Sequence, residues 1–404
     1  MQDYQLDVTG GVDTHGEQHV AAVIDAVGRI LGTQAFPADL PGYRQLLRWM
    51  RSFGPLARAG VEGTGTYGAG LARYLTGNGI TVVEVNRPNR QARRRRGKSD
   101  ATDAEAAARA ALNGEASGVP KAGTGPVESL RALRVARRSA MKARTQAASQ
   151  IRDLTVTAPD ILRVQLVGLD TRARVDTCAR FRPGPVSDPG EATRKTLRCL
   201  ARRHQALTAE IDELDEAIGQ LCALASPALL AARGVGPEVA SALLVAAGDN
   251  PGRLRTEASF AALCGTSPVQ ASSGKVTRHR LNQGGNREAN NALWRIVMVR
   301  LTCDQRTRDY VTRRRAEGKT SREIIRCLKR YIAREVYELI TSPPTVPDGA
   351  SLRAARTAAR ITLATAAAQL GTWDTRISRL ERGLTHDSDL ARSYQHWLSH
   401  QTAA

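Results

Sequence analysis

The chain has 404 residues, a length that favours two to four domains. Hydrophobic residues make up 42% of it, which is enough to build domain cores and excludes a disordered protein. Its net charge of +20 favours nucleic acid, or secondarily an anionic membrane surface, as the partner. No apolar run approaches the roughly 20 residues that span a bilayer, and the N-terminus lacks a signal pattern, so we expect a soluble, cytoplasmic protein. Because only 4% of residues are aromatic, arginine contacts to phosphate fit the composition better than general base stacking.

The first 115 residues alternate between strand and helix patterns. Residues 4–36 have the pattern of three short strands, with a hairpin turn at 25–28, and helical spacing follows in LPGYRQLLRWMRSF. The strand patterns ARAGVEG and ITVVEVN then alternate with the helical patterns GAGLARYLTGNG and SDATDAEAAARAAL. This order predicts an α/β domain built on a mixed sheet over residues 1–115.

Helical patterns dominate the rest of the chain, so the predicted fold class is α/β followed by all-α. Residues 116–226 contain two long charged helices, which form either a coiled-coil assembly segment or a hairpin within one chain. Residues 227–340 predict a helical domain in which GVGP indicates a phosphate-binding helix-hairpin-helix or a plain glycine turn. TSPPTVPDGAS (341–351) has the composition of a linker, and residues 352–404 predict a small helical domain.

Acidic residues occupy positions where an open α/β sheet binds ligands. Two of them end predicted strands, in GVDTH and VEGTG, and two share one helix face in KSDATDA. Each acid alone is more simply a solvated surface charge, but carboxylates that converge repel one another unless a cation such as Mg²⁺ neutralises them. Asp25, in a turn, and Glu84, within a strand, are weaker candidates. The predicted ligands are Asp13, Glu62, Asp100 and Asp103.

The stretch RPNRQARRRRGK (87–98), directly before the last two acids, carries seven basic residues and no acid. A charge run is most simply a solvated face, but its position beside the acids favours a polyanion, whose phosphates would be neutralised with release of counterions. The residues themselves do not distinguish DNA from RNA. The nucleic-acid-binding candidates in this run are Arg93, Arg94, Arg95, Arg96 and Lys98.

The order and the residues of these motifs resemble those of the RuvC-like, ribonuclease-H-fold domain of DEDD transposases. These transposases are the insertion-sequence family of bridge-RNA-guided recombinases. The resemblance covers about residues 8–112. It implies that the four acids are the catalytic D, E, D and D that bind Mg²⁺ or Mn²⁺. It also implies a structured guide RNA, held by the arginine run and the helices after residue 126, and a nucleoid-associated protein in the bacterial cytoplasm.

A second segment, SFAALCGTSPVQASSGKVTRHRLNQGGNREANNALWRIV (259–297), contains two adjacent serines followed by basic residues. Alone, Ser-Gly marks a loop, and a serine nucleophile needs activation. Lys275, Arg278 and Arg280 would supply a positive field around a phosphate. The same transposase family has a G-x-x-P…S-G…G-N pattern, which implies Ser273 as the nucleophile, with Ser272 as the alternative. The pattern falls here on Gly265, Pro268, Ser273–Gly274 and Gly285–Asn286.

One departure from that family pattern concerns nucleic-acid contact. The family often has a Lys-Arg pair before the Gly-Asn, where this chain has Gln283–Gly284. The departure affects a local contact and leaves the serine assignment as it stands.

The C-terminal residues 352–398 contain a third motif. TLATAAAQLG followed by TWDTRISRLERG has the helix, glycine turn and second helix of a helix-turn-helix, and resembles the small domains of the lambda-repressor class. Its second helix would present Thr375 and Arg376 to a DNA major groove, with Ile377 and Leu380 in the core. The alternative is a module that contacts protein.

Together the motifs predict a transposase or site-specific recombinase of an insertion sequence. Metal held by the acids would position the scissile phosphate, and Ser273 would attack it to give a phosphoserine link that a second strand reverses. The resemblance implies element ends and target DNA as partners, a guide RNA, and a dimer or tetramer whose acids and serines come from different subunits. The alternatives are a metal-dependent junction nuclease without a serine adduct and a non-catalytic DNA-binding regulator.

Overall fold

The computed structural model describes residues 7–85, 99–272, 279–343, 347–385 and 387–401. The chain divides into two compact units. The first comprises Met1–Gly125 and Ala247–Arg255, and the second Pro126–Ala246 and Thr256–Ala404. Among the described helices, none combines the length and the apolar character required to cross a bilayer.

A five-stranded mixed sheet forms the centre of the first unit, in the order β3-β2-β1-β4-β5. The first three strands pair antiparallel, whereas β1, β4 and β5 run parallel. The elements in chain order are β1 (Val8–Thr14), β2 (Gln18–Ile24), β3 (Ile30–Pro37), α1 (Leu40–Arg51), β4 (Leu56–Glu62), α2 (Ala69–Gly77), β5 (Thr81–Val85) and α3 (Asp100–Leu112). This order confirms the α/β prediction, and the sheet is consistent with an RNase H-like domain.

Short-range signals explain why the predicted turns form where they do. The Asp25 carboxylate accepts hydrogen bonds from the backbone N–H groups of Val27 and Arg29, and Gly28 adopts a φ of +83°. These contacts close the β2–β3 hairpin with a turn that needs a left-handed residue. Asp39 caps α1 by accepting a hydrogen bond from the Gly42 backbone N–H at 2.8 Å.

Helix α3 lies directly on the sheet because both surfaces consist of small residues. A Cβ atom built on Gly11 of β1 would lie 2.2 Å from the backbone of Ala104 and Ala108, and one on Gly60 of β4 would lie 2.3 Å from the carbonyl oxygen of Ala107. These three alanines are fully buried. The absence of side chains at both glycines therefore sets the distance of α3, with its acids, from the strands.

A methyl group at Gly11 is expected to destabilise the first unit. Gly11→Ala places its Cβ against backbone atoms of α3, which cannot rotate away, so we expect a loss of about 3 kcal/mol and a melting temperature lower by roughly 10 °C. Differential scanning calorimetry of the full chain measures this change. The matched control is Gly77→Ala, whose Cβ meets no atom within 4 Å. Equal melting temperatures for the two variants would contradict the tight helix–sheet contact.

Two long helices dominate the start of the second unit. Helices α4 (Pro126–Thr157) and α7 (Pro189–Ala225) pack antiparallel, with Arg137 bonded to Asp215 near one end and Ile151 clustered with Leu197 towards the other. Between them in sequence lie the short helices α5 (Asp160–Leu166) and α6 (Thr171–Ala179). The long helices thus form a pair within one chain, and their role in assembly stays a prediction.

The next part of the second unit is helical except for one small hairpin. Its helices are α8 (Pro227–Leu230), α9 (Pro237–Ala247), α10 (Glu257–Leu263), α11 (Arg287–Cys303), α12 (Gln305–Ala316) and α13 (Ser321–Thr341). GVGP lies between α8 and α9, with Gly234 at a φ of +81°, but α8 is only four residues long. The hairpin pairs β6 (Val269–Gln270) with β7 (His279–Arg280). Its strands were not predicted from the sequence.

Four helices form the C-terminal cluster, α14 (Gly349–Ala358), α15 (Leu363–Gln369), α16 (Asp374–Glu381) and α17 (Ser388–Gln401). Ile377 and Leu380 of α16 are buried, as predicted. Behind them the buried Glu381 carboxylate accepts hydrogen bonds at 2.7 Å from both Arg356 and the Tyr394 hydroxyl. Helix α14 begins inside the stretch 341–351 that has the composition of a linker.

Candidate metal centre

The alternation of side chains along the central strands places two predicted acids on the face that α3 covers. Gly11 and Gly60 both face α3, and Asp13 and Glu62 each stand two residues further along the same strands. The β1–β4 register pairs Val12 with Val61, so the two acids lie side by side at the ends of neighbouring parallel strands. Asp13 and Glu62 therefore lie at the same end of the two paired strands.

The first turn of α3 supplies the other two acids. Ser99 caps the helix by accepting a hydrogen bond from the Thr102 backbone N–H at 3.3 Å, which fixes where the helix begins. Asp100 and Asp103 then lie in the first turn, Asp100 about half exposed and Asp103 buried. Because α3 rests on the strands, its first turn lies beside the carboxyl end of β1.

Ligand atoms converge on one point of this edge. An oxygen of Asp13, an oxygen of Asp100 and a ring nitrogen of His15 all lie within 4.8 Å of one another. The His15 Nε2 atom is 3.1 Å from Asp13 Oδ2 and 3.5 Å from Asp100 Oδ1. Sequence reasoning missed His15, although the motif GVDTH contains it two residues after Asp13. Imidazole nitrogen and carboxylate oxygen are both metal ligands.

The electrostatics of this edge explain why a cation fits it. Burial has the largest effect on the pKa of the Asp13 carboxyl and raises it. His15 lowers this pKa, and the charges of Asp103 and Asp100 raise it. The protein thus holds negative groups together in a place where they repel one another. A divalent cation would remove that repulsion, and the carboxylate oxygens and the His15 nitrogen are donors that a divalent metal ion accepts.

The weaker acidic candidates are engaged elsewhere. The Asp25 carboxylate closes the β2–β3 turn. Glu84 accepts a hydrogen bond from the Thr64 hydroxyl at 2.8 Å and lies 3.9 Å from the Arg253 guanidinium. Neither belongs to the converging cluster found among the described residues.

Several predicted site residues lie outside the described residues, namely Arg93, Arg94, Arg95, Arg96, Lys98, Ser273, Lys275 and Arg278. The neighbouring Ser272 is exposed, and its hydroxyl accepts a hydrogen bond from the Gln270 side chain at 3.4 Å. Arg280 is exposed at the base of the hairpin, opposite Val269. On α16, Thr375 and Arg376 are both exposed, and Arg376 forms an ion pair with Asp387 at 2.6 Å.

Comparison with known proteins identifies the class of these two regions. The DEDD transposase family of IS110 elements matches residues 10–157, which contain all four acids and His15. The transposase family of IS116, IS110 and IS902 matches residues 226–312, which contain the serine segment. Both segments therefore match transposase families of IS110-type insertion elements. This result confirms the predicted relation to DEDD insertion-sequence transposases.

A protein of insertion element IS110 from Streptomyces coelicolor, with a mass of 43.6 kDa, is also similar to this chain. The two are 32% identical over 136 residues. The match spans 33% of this chain and 32% of that relative, so the chain covers about a third of the relative's length.

Proposed function

We propose that the chain is a transposase or recombinase that cuts and rejoins the DNA of an insertion sequence. The observation that carries the proposal is the convergence of Asp13, His15 and Asp100 inside a segment matched by a transposase family. A site of this kind at the edge of an α/β sheet suits phosphate chemistry. The second transposase match, over the serine segment, supports a contribution from that region as well.

The acids and His15 perform the metal-binding part of the proposed reaction. Asp13, Glu62, Asp100 and Asp103 would hold Mg²⁺ or Mn²⁺, which on binding neutralises charge on the scissile phosphate. His15, between two of these carboxylates, would orient them or add a nitrogen ligand. The small-residue contact with the sheet brings α3, which carries Asp100 and Asp103, close to the strands that carry Asp13 and Glu62.

The serine part of the reaction exchanges one phosphoester for another. The Ser273 oxygen would attack phosphorus, lose its proton, and form a serine–phosphate bond while the bond from phosphorus to one deoxyribose oxygen breaks. That oxygen takes up a proton and leaves as a hydroxyl. Attack by the hydroxyl of another strand then releases the serine and rejoins DNA, so the cycle needs no external energy.

Further assignments complete this proposal. The arginine run, Lys275, Arg278 and Arg280 would contact phosphates, and Thr375 with Arg376 would contact DNA through α16. A guide RNA and a dimer or tetramer are proposed from the family resemblance, as is a cytoplasmic, nucleoid-associated location. The proposed domains are residues 1–115, 116–226, 227–340 and 352–404, with 341–351 as the linker.

A metal-dependent nuclease is the second candidate. The converging ligands all belong to the first unit, and metal-assisted hydrolysis requires a water molecule in place of a serine. This candidate predicts cleaved DNA without any protein attached to it.

Trapping a covalent intermediate tests the proposal. The full chain is incubated with element-end DNA, guide RNA and Mg²⁺, and the reaction is stopped in denaturant. We expect a protein–DNA species that survives denaturation, with the nucleotide mapped by mass spectrometry to a serine within residues 259–297. Cleaved DNA with no attached protein would support the nuclease, and DNA binding with no metal-dependent cleavage would support a regulator.

A further inference from the structure

A groove of about 930 Å³ opens at the base of the β6–β7 hairpin. Pro268, which precedes β6, and Leu281, which follows β7, form one side of it, and residues of α11 and α13 form the other. All of its lining residues belong to the second unit. Pro268 and Leu281 of the groove therefore flank, along the chain, the stretch that contains Ser272 and Ser273.

Positive charge dominates the lining of this groove. Five lining side chains are arginine or lysine, and no lining residue in the described part of the chain is acidic. Glu257, outside the lining, forms ion pairs with Arg330 and Arg334. The positive charge that Glu257 does not neutralise favours an anionic ligand in the groove.

The Lys329 ammonium is a partly buried cation in the wall of this groove. Its ammonium donates a hydrogen bond to the Asn290 side chain at 2.8 Å, and Asn290 in turn donates to the backbone carbonyl of Cys264 at 2.8 Å. Burial, and after it the charge of Arg326, lower the pKa of Lys329. A bound phosphate would offset both effects, because it pairs with the ammonium and screens it from Arg326.

Two exposed aromatic side chains line the same groove. Trp294 on α11 is 43% exposed and Tyr331 on α13 is 55% exposed, in a chain of which only 4% is aromatic. The Tyr331 ring is supported from behind by Tyr310, whose ring lies edge-on with its centroid 5.7 Å away. Exposed rings beside cations are the combination that binds unpaired nucleotides, because bases stack on the rings while phosphates meet the charges.

We propose that this groove binds an unpaired stretch of DNA, with a base stacked on Trp294 or Tyr331 and a phosphate on Lys329 and Arg326. The proposal rests on the proposed function, which makes a DNA strand the substrate of the adjacent serine segment. The groove volume lies in the range of about 300–1,000 Å³ that encloses small molecules, which suits one or two nucleotides. A duplex offers no free base face for the rings, so the groove selects DNA that has been opened.

Fluorescence anisotropy with the full chain tests this inference. The probes are a short fluorescein-labelled single-stranded DNA and a duplex of the same sequence, both measured in EDTA so that no cleavage contributes. Trp294→Ala is expected to weaken single-strand binding by about tenfold through lost stacking, and duplex binding by less than about twofold. Trp294→Phe is the matched control, since it retains a ring and should keep most of the affinity.

Other results would overturn the inference. Equal losses for single strand and duplex would show a general defect, and unchanged single-strand affinity in both Trp294→Ala and Tyr331→Ala would show that no base stacks there. Displacement of the DNA by an equimolar RNA of the same sequence would assign the groove to RNA. A changed sedimentation coefficient without changed DNA affinity would assign it to a second copy of the chain. Because the assay excludes chemistry, failure to trap a serine adduct tests the proposed function separately.

Discussion

Ser273→Ala is expected to abolish both the covalent protein–DNA species and strand rejoining. Alanine lacks the oxygen that would replace the broken phosphoester, so no intermediate can form and any residual signal should fall by at least about a thousandfold, or about 4 kcal/mol. Binding of element-end DNA should change little, because the proposed phosphate contacts come from arginines and lysines and not from Ser273. Denaturing gels for the adduct, and anisotropy for binding, measure the two properties separately.

Ser272→Ala is the matched control for this experiment. It removes the same hydroxyl one residue earlier, together with the hydrogen bond from Gln270 to the Ser272 side chain. We expect this variant to keep adduct formation within about tenfold of the unmodified chain. Loss of the adduct in Ser272→Ala but not in Ser273→Ala would transfer the nucleophile to Ser272. Hydrolytic cleavage that survives in both variants would favour the nuclease.

The order of elements in the first unit could be predicted because each element carries a local signal. Short apolar runs bounded by turn residues mark the strands, Asp25 and Gly28 mark the hairpin turn, and Ser99 marks the start of α3. The acids at the strand ends and in the first turn of α3 follow from the same signals. Asp13 and Asp100 of the converging cluster were therefore accessible from the sequence, whereas His15 and the geometry of the cluster were not.

Contacts between distant segments could not be predicted in the same way. No local sequence pattern indicates that Gly11 and Gly60 face the alanines of α3. A glycine within a strand can equally mark a bulge, a bend or a close approach of another backbone. His15 acquires its position from two carboxylates that are 87 residues apart, Asp13 and Asp100. Such positions depend on strand register and on helix packing, which no local pattern encodes.

The β6–β7 hairpin and the groove beside it lacked a sequence signal for a related reason. Each strand has only two residues, which is too short for the alternation that identifies a strand. The groove combines Trp294 with Tyr331, which lie on helices separated by α12. Low aromatic content argues against base stacking along the whole chain, but two rings that line one groove suffice for a local site.

Asp13→Asn is expected to separate the role of this residue in catalysis from its role in stability. Asparagine has nearly the same shape and can still hydrogen-bond to His15, but it removes a charged ligand from the centre of the cluster. We therefore expect Mg²⁺-dependent cleavage to fall by at least about a thousandfold, about 4 kcal/mol, with the fold intact. Cleavage assays measure the loss, and circular dichroism checks the fold.

The sign of the stability change follows from the pKa of Asp13. Because folding raises this pKa, the folded chain holds the proton more tightly than the unfolded chain, and stability falls as pH rises from the unfolded pKa through the raised one. Above the raised pKa, the ionised carboxylate opposes folding in the absence of metal. Asp13→Asn should then melt at the same temperature as the unmodified chain, or higher, when EDTA is present.

Addition of Mg²⁺ should make the unmodified chain melt at a higher temperature than Asp13→Asn. Binding to the folded state alone raises the melting temperature of the unmodified chain, and the variant should lose most of this increase because its site has one charge fewer. Asp25→Asn is the matched control, since its side chain closes a turn outside the cluster and should leave both cleavage and the Mg²⁺ effect unchanged. An Asp13→Asn variant that still gains stability from Mg²⁺ and still cleaves DNA would mean that these carboxylates do not hold the catalytic ion.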